Sequence, residues 1–319
     1  MRVLVFGYHD IGYECLQELV AQGHEVAAVV THEDDPGENV WFRSVPCLAR
    51  EYGLPVFTPE DPNEPDFSAA LRGLAPDIVF SFYYRHMLKR PLLELAPMGA
   101  LNLHGSYLPF YRGRCPVNWV LLRGETETGV TLHYMVEKPD AGDIVAQRRV
   151  AISFDDTALT LYGKMTRAAR EMFAETLPKL AAGTAPRVPQ DHSRATYFGG
   201  RRPEDGRFQW ADRAIDIYNL VRAVTHPYPG AFTGMGQTKL MVWACRPGNV
   251  TSCDVPPIPG MVLAIGQGGP RIATGEGWVE LLSVQVGDGP VIDGTRFCTE
   301  YGLQPGDDLF RGAGQLAPL

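Results

Sequence analysis

The sequence predicts an α/β protein: a Rossmann-like, mainly parallel sheet covered by helices, followed by a smaller β-rich, OB-like domain. Three observations carry that expectation. Over roughly the first 180 residues, short apolar runs alternate with stretches of helical periodicity. Near residue 186 the texture shifts to Pro, Gly and charge ("PRVPQDHSRATYFGGRRPEDGRFQW"). From 231 to 310 short apolar runs such as "KLMVWAC", "GMVLAIG" and "WVELLSVQV" recur between Gly and Pro, a spacing that suits a small, partly open barrel. With 319 residues the chain has room for about two domains. They are placed at 1–188 and 212–319, joined by a linker over 189–211.

Each element of the first domain has a local reason. "RVLVF" (2–6) is a buried-strand run, and Ile11, Cys15, Leu19 and Val20 then mark one face of a helix closed by Gly23. "EVAAVVT" (25–31) is the next strand. A helix is expected over 40–52, with Val45, Leu48, Ala49 and Tyr52 on its buried face and Gly53 as its cap. A short "PVF", a helix at 65–73, the strand "DIVFSF" (77–82), the helix "KRPLLELA" and the strand "ALNLH" follow. Ala158, Leu161, Met165, Ala169, Met172, Phe173 and Leu180 draw the stripe of a long helix from Asp156 to about Ala182, ended by Gly183. A last helix near 212–224 joins the two parts. Strands alternating with helices require right-handed crossovers and hence a mainly parallel sheet buried on both faces.

Composition narrows the function classes. The chain is 45% hydrophobic and 21% charged, as ordinary globular proteins are. Its formal charge of -8 argues against a nucleic-acid partner, because phosphate binding needs clustered Lys and Arg. No apolar run reaches the roughly 18–20 residues that span a bilayer, and the start reads as strand then helix rather than signal peptide, so no membrane is expected and the location is placed in the cytoplasm. Six cysteines at 15, 47, 115, 245, 253 and 298 form no CxxC pair, and the eight histidines show no metal spacing. Reduced thiols and no metal are expected.

An open parallel sheet binds its ligands outside the carboxyl ends of its strands. "YYRHM" (83–87), Asn102 to His104, and "EKPDAGD" (137–143) follow three such ends and are expected to meet at one edge. Asn102 and His104, two residues apart on a strand, project to the same face. An amide N–H and an imidazole aimed at one atom suit the oxyanion that develops in acyl transfer. Asp140 adds a carboxylate, which beside an imidazole favours its protonated form and fixes which nitrogen faces the substrate. In isolation an Asn-x-His pair more often bonds loop backbone. The Gly105–Pro116 loop argues otherwise, since Pro109 and Pro116 stiffen it, Gly105 and Gly113 permit sharp turns, and Arg112 and Arg114 return charge to the strand ends. Arg201 and Arg202 in "FGGRRPEDG" suit a diphosphate, although a solvated charged turn explains them equally well. His133, inside a strand, reads as a packed core histidine.

The stretch "NLHGSYLPFYRGRCPVNW", with "MVEKPDAGDIV" downstream, resembles the signature of enzymes that formylate amines with 10-formyltetrahydrofolate. Methionyl-tRNA formyltransferase, glycinamide ribonucleotide transformylase and the sugar N-formyltransferases are among them. "VFGYHDIGYECL", "THEDDPGE", "PDIVFSFYYRHML", "RGETETGVTLHYMV" and "ATYFGGRRPEDG" look most like one branch, the formyltransferase portion of the bifunctional enzyme that modifies UDP-4-amino-4-deoxy-L-arabinose for lipid A and polymyxin resistance. The resemblance implies the formyltransferase fold, 10-formyltetrahydrofolate as co-substrate without a metal, and a nucleotide-sugar substrate. It makes Asn102 the transition-state stabiliser, His104 the proton shuttle, and Asp140 the group that raises the histidine pKa. It places His86, Met87, Leu88, Arg114, Val136, Glu137, Lys138, Pro139 and Asp140 against the folate. A homo-oligomer is compatible with it, and the dehydrogenase that accompanies that branch is expected as a separate partner. Tyr107 and Cys115 depart from the usual Leu and Ala of the family. Methionyl-tRNA formyltransferase, another sugar-nucleotide N-formyltransferase and a catalytically silent folate-binding module remain the alternatives.

Overall fold

The first apolar run forms β1 (Arg2–Gly7), in which Val3, Leu4, Val5 and Phe6 are fully buried. The computed structural model describes residues 1–34, 37, 39–249 and 258–309. Cys253, part of "THEDDPGE" and the last residues of the second domain fall outside the described residues. After β1 come α1 (His9–Ala21), β2 (Glu25–Val30), α2 (Val45–Glu51), β3 (Val56–Phe57), α3 (Pro65–Gly73), β4 (Ile78–Phe82), α4 (Arg90–Leu93) and β5 (Ala100–His104). These five strands are parallel and lie in the order β3-β2-β1-β4-β5. Strand order therefore reverses between β1 and β4, the point where such sheets open a crevice.

Two helices differ from their predicted extent. α2 begins at Val45 rather than 40, because Ser44 caps it by accepting from Cys47 N–H at 3.4 Å and Pro46 stands in its first turn. Tyr52 is the exposed residue that ends this helix, not part of its buried face. α4 keeps only four residues.

β6 (Arg112–Gly113), α5 (Pro116–Leu122), β7 (Glu127–Tyr134) and β8 (Ile144–Ala151) follow. β7 joins the sheet beside β5 and β8 beside β7, giving a seven-stranded sheet with two antiparallel strands at that edge. This corrects one expectation. Tyr134 pairs with Leu101 and Thr131 with His104, so β7 ends beside the beginning of β5 and residues 137–143 do not start from the carboxyl edge.

α6 (Ala158–Ala181) buries every residue of its predicted stripe, and Phe173 meets the rings of Phe80 and Phe82 edge-on, 5.1 and 5.0 Å between centroids. β9 (Tyr197–Phe198) pairs in parallel with β6. All of these except α5 and the start of α6 belong to one compact unit, formed by Met1–Pro116, Thr126–Ile152 and Leu161–Gly199.

The other unit comprises Val117–Glu125, Ser153–Thr160 and the chain from Gly200 on. It contains α7 (Ala214–Val224), β10 (Ala231–Met235), β11 (Thr238–Gly248), β12 (Val262–Ile265), β13 (Pro270–Ala273), β14 (Trp278–Val286), β15 (Val291–Asp293) and α8 (Gly294–Glu300). Its strands form an antiparallel sheet in the order β10-β11-β14-β13-β12, with β15 on β14. Among the described residues no helix is long and apolar enough to cross a membrane.

Candidate active site

Asn102 and His104 end β5, which is hydrogen-bonded by β4 on one edge and β7 on the other, so their backbone is held from both sides. His104 is buried and Asn102 half-buried. His104 Nε2 lies 2.8 Å from the Tyr111 carbonyl oxygen, which can only accept, so this nitrogen carries a hydrogen. Its Nδ1 faces Asp140 Oδ1 at 3.5 Å. Both nitrogens thus meet acceptors, an arrangement that an imidazolium satisfies on both sides.

Asp140 reaches His104 by a turn rather than by strand position. Ala141 N–H donates to Lys138 O at 3.3 Å, and Asp140 adopts φ 53°, a left-handed conformation that Asp tolerates better than most residues. Its Oδ2 accepts from Gly113 N–H at 2.8 Å, while Oδ1 stands 3.5 Å from both His104 Nδ1 and His133 Nε2. Burial alone would push this carboxyl up. The charge of His104, the adjacent His133 ring and the Gly113 N–H outweigh burial and hold Asp140 well below the usual carboxylate range.

The loop after β5 is braced from within. Thr131 Oγ1 donates to Ser106 O at 2.7 Å and accepts from Leu108 N–H at 3.1 Å, and Gln147 Nε2 donates to Leu108 O at 2.8 Å. Gly113 has φ 99°, and an added Cβ would run into the Phe198 carbonyl oxygen. Arg112, expected to offer its charge to a ligand, is instead fully buried. It donates to Gln190 Oε1 (2.6 Å from Nη2) and to Tyr197 Oη (2.6 Å from Nη1). Gln190 Nε2 in turn donates to the carbonyls of Asp140 and Gly142, at 2.9 and 2.6 Å. The loop arginine is therefore a strut behind the Asp140 turn. Tyr107 packs over Gly129 of β7, and the guanidinium of Arg149 lies 4.4 Å from its ring centroid, which accounts for a large side chain at that position.

Of the other expected ligand contacts, His86, Met87 and Arg114 are exposed after β4 and in the loop. Leu88 belongs to the apolar core with Leu4, Phe6 and Leu92, so only its backbone can face a ligand. Asn63 fixes that stretch by donating to Met87 O at 3.0 Å and accepting from Lys89 N–H at 2.7 Å. Val136, Glu137, Lys138 and Pro139 are exposed beside Asp140. Arg201 and Arg202 lie in the second unit. Arg201 lines a cavity of about 270 Å³ there with Trp119, Arg123 and Arg207, its guanidinium 5.0 Å from the Trp119 ring centroid. That cavity holds none of Asn102, His104 and Asp140, and chemistry rather than volume identifies the candidate site. Among the described residues no group of three or more His, Cys, Asp or Glu side chains could hold a metal ion.

His133 is buried inside β7, as a packed core histidine is expected to be, and its ring is also bonded: Nδ1 lies 2.8 Å from Tyr134 O and Nε2 lies 3.3 Å from Asn102 Nδ2. It stands directly opposite Asn102 in the antiparallel register, a placement that no local pattern in the sequence signals.

Residues 1–177 match the family model described as formyl transferase, and residues 201–302 match that described as formyl transferase, C-terminal domain. The chain belongs to the formyl transferase family. Among solved structures, this formyl transferase resembles the N-formyltransferase of Helicobacter canadensis in complex with folinic acid and dTDP-3-aminofucose, at 20% identity and a TM-score of 0.68, over 88% of this chain and 97% of that one. The sugar 3N-formyl transferase WlaRD, in the presence of dTDP and 5-N-formyl-THF, is similar at 18% identity and 0.66, over 90% and 97%. Methionyl-tRNA formyltransferase from Clostridium thermocellum matches at 16% and 0.55, over 77% and 93%. These likenesses establish the formyl transferase fold of both units.

Proposed function

We propose that this formyl transferase moves a formyl group from 10-formyltetrahydrofolate to the amine of a nucleotide-linked amino sugar, with UDP-4-amino-4-deoxy-L-arabinose as the leading acceptor. The observation that carries the proposal is the convergence of Asn102, His104 and Asp140 at the end of β5, with Asp140 Oδ1 3.5 Å from His104 Nδ1. The donor supplies an activated formyl carbon on its N10. Its fit to this chain rests on the exposed Met87 and Val136, apolar surfaces for a flat ring system.

Asn102 donates an amide N–H to the formyl oxygen as the neutral amine attacks, and His104 supplies the second donor. Asp140 favours the charged form of the His104 ring, which delivers its proton to the leaving N10 and takes back the proton that the attacking amine loses. To reach the reacting atoms, His104 exchanges its contact with Tyr111 O for one with the substrate. Val136 to Pro139 line the folate side. The sugar N-formyltransferases among the similar structures support the acceptor class, and a separate dehydrogenase would act in the same pathway of lipid A modification. Tyr107 and Cys115 then bear on substrate shape, not on the reaction.

The test incubates the purified chain with 10-formyltetrahydrofolate and, in separate reactions, UDP-4-amino-4-deoxy-L-arabinose, dTDP-linked 3-amino sugars and methionyl initiator tRNA. Formylation of the UDP sugar is expected. Formylation of only a dTDP sugar rejects the acceptor, and of only the tRNA rejects the acceptor class.

A further inference from the structure

We infer that His133 is a positioning residue for Asn102: its ring fixes the carboxamide so that an N–H, and not the carbonyl, faces the reacting oxygen. The inference rests on the role given to Asn102 above. His133 is 1% exposed and stands directly across from Asn102 in the β5–β7 pairing. The Tyr134 carbonyl, 2.8 Å from Nδ1, can only accept, so Nδ1 carries the ring hydrogen. In the neutral ring assigned here Nε2 is a lone pair, and it accepts from Asn102 Nδ2 at 3.3 Å.

That single contact decides the orientation of the amide. A carboxamide turned through half a rotation about Cβ–Cγ has nearly the same shape but exchanges donor for acceptor. An oxygen in place of the N–H would repel a developing oxyanion instead of stabilising it. With the ring accepting one amide hydrogen, the second is left for the substrate. Asp140 Oδ1 also stands 3.5 Å from this Nε2, farther than Asn102 Nδ2, and is its partner only if Nε2 carries a hydrogen.

His133→Asn and His133→Gln separate a positioning role from a packing role. The Asn amide can replace Nδ1 but falls short of Nε2, whereas the Gln oxygen can occupy the Nε2 position. Loss of an orienting partner typically costs about 10–100-fold. His133→Asn is expected to lose that much in kcat with donor KM nearly unchanged, and His133→Gln to recover about tenfold or most of the loss. In an Asn102→Ala background, His133→Asn should cost no more than about twofold, because two residues acting through one contact are not additive. Equal losses in the two His133 variants, or full additivity with Asn102→Ala, would overturn the inference.

A readout independent of turnover covers variants that fold poorly and an enzyme inactive on every acceptor, the outcome that instead defeats the proposed function. Long-range ¹⁵N correlation of the wild-type histidine rings should show His133 with Nδ1 protonated and Nε2 bare between about pH 7 and 8. A protonated Nε2 in that range means it donates to Asp140, and the assignment fails.

Discussion

Asp140→Asn removes a charge with almost no change in shape. Asp140 presents one oxygen to Gly113 N–H at 2.8 Å and the other to His104 Nδ1 and His133 Nε2 at 3.5 Å. If the new amide oxygen keeps the Gly113 bond, its NH2 faces both rings and can only donate. At 3.5 Å and an effective dielectric near 20, the attraction between a carboxylate and an imidazolium is worth about 4–5 kcal/mol. The side chain of Asp140 is 12% exposed, and partial screening brings the realised part to about 3–4 kcal/mol. At about 1.4 kcal/mol per tenfold, this corresponds to a fall in kcat/KM of about 10²–10³. Steady-state formyl transfer by wild type and variant, with melting curves to confirm folding, measures it. A folded Asp140→Asn variant that retains more than a tenth of wild-type kcat/KM would refute the electrostatic role.

The same carboxylate leaves a mark on stability. Because its folded pKa lies below the unfolded value of about 4, it contributes stability above that pH and loses it as pH falls through the folded value. The difference in unfolding free energy between wild type and Asp140→Asn should therefore be largest above about pH 5 and shrink below about pH 4 in denaturant titrations. Gly113→Ala should destabilise by at least about 1–2 kcal/mol from its φ of 99° alone, with a further loss of kcat because Gly113 N–H anchors Asp140. Arg112→Met leaves the buried Gln190 Oε1 without its donor, and at about 1–3 kcal/mol for an orphaned buried group the urea midpoint should drop by an amount equal to about 1–3 kcal/mol. Unchanged midpoints in either variant would contradict the bracing described for the loop.

Much of this is visible in the residues themselves. The stripe from Ala158 to Leu180 and the strand–helix alternation up to His104 are local periodicities, and the structure follows them. The direction of β7 is not local. Its apolar run pairs equally well either way, and the connection over 105–126, with α5 in it, is long enough for either direction. Arg112 looks like a ligand contact because an arginine in a Gly- and Pro-rich loop usually meets solvent, whereas its burial depends on Gln190 and Tyr197, about eighty residues away. His133 is legible as a buried strand histidine, but its contact with Asn102 is not, since a lone histidine on a strand says nothing about its neighbour across the ladder. Asn102, His104 and Asp140 are legible as a set, and their convergence depends on the left-handed turn at Asp140.

The chain Arg112–Gln190–Asp140 has a consequence for cutting this protein apart. An excised first half that stops where α6 ends would discard Gln190, along with Tyr197, and so release the acidic turn from behind even though every residue of the trio remained. A fragment that keeps this turn braced must run at least through Phe198.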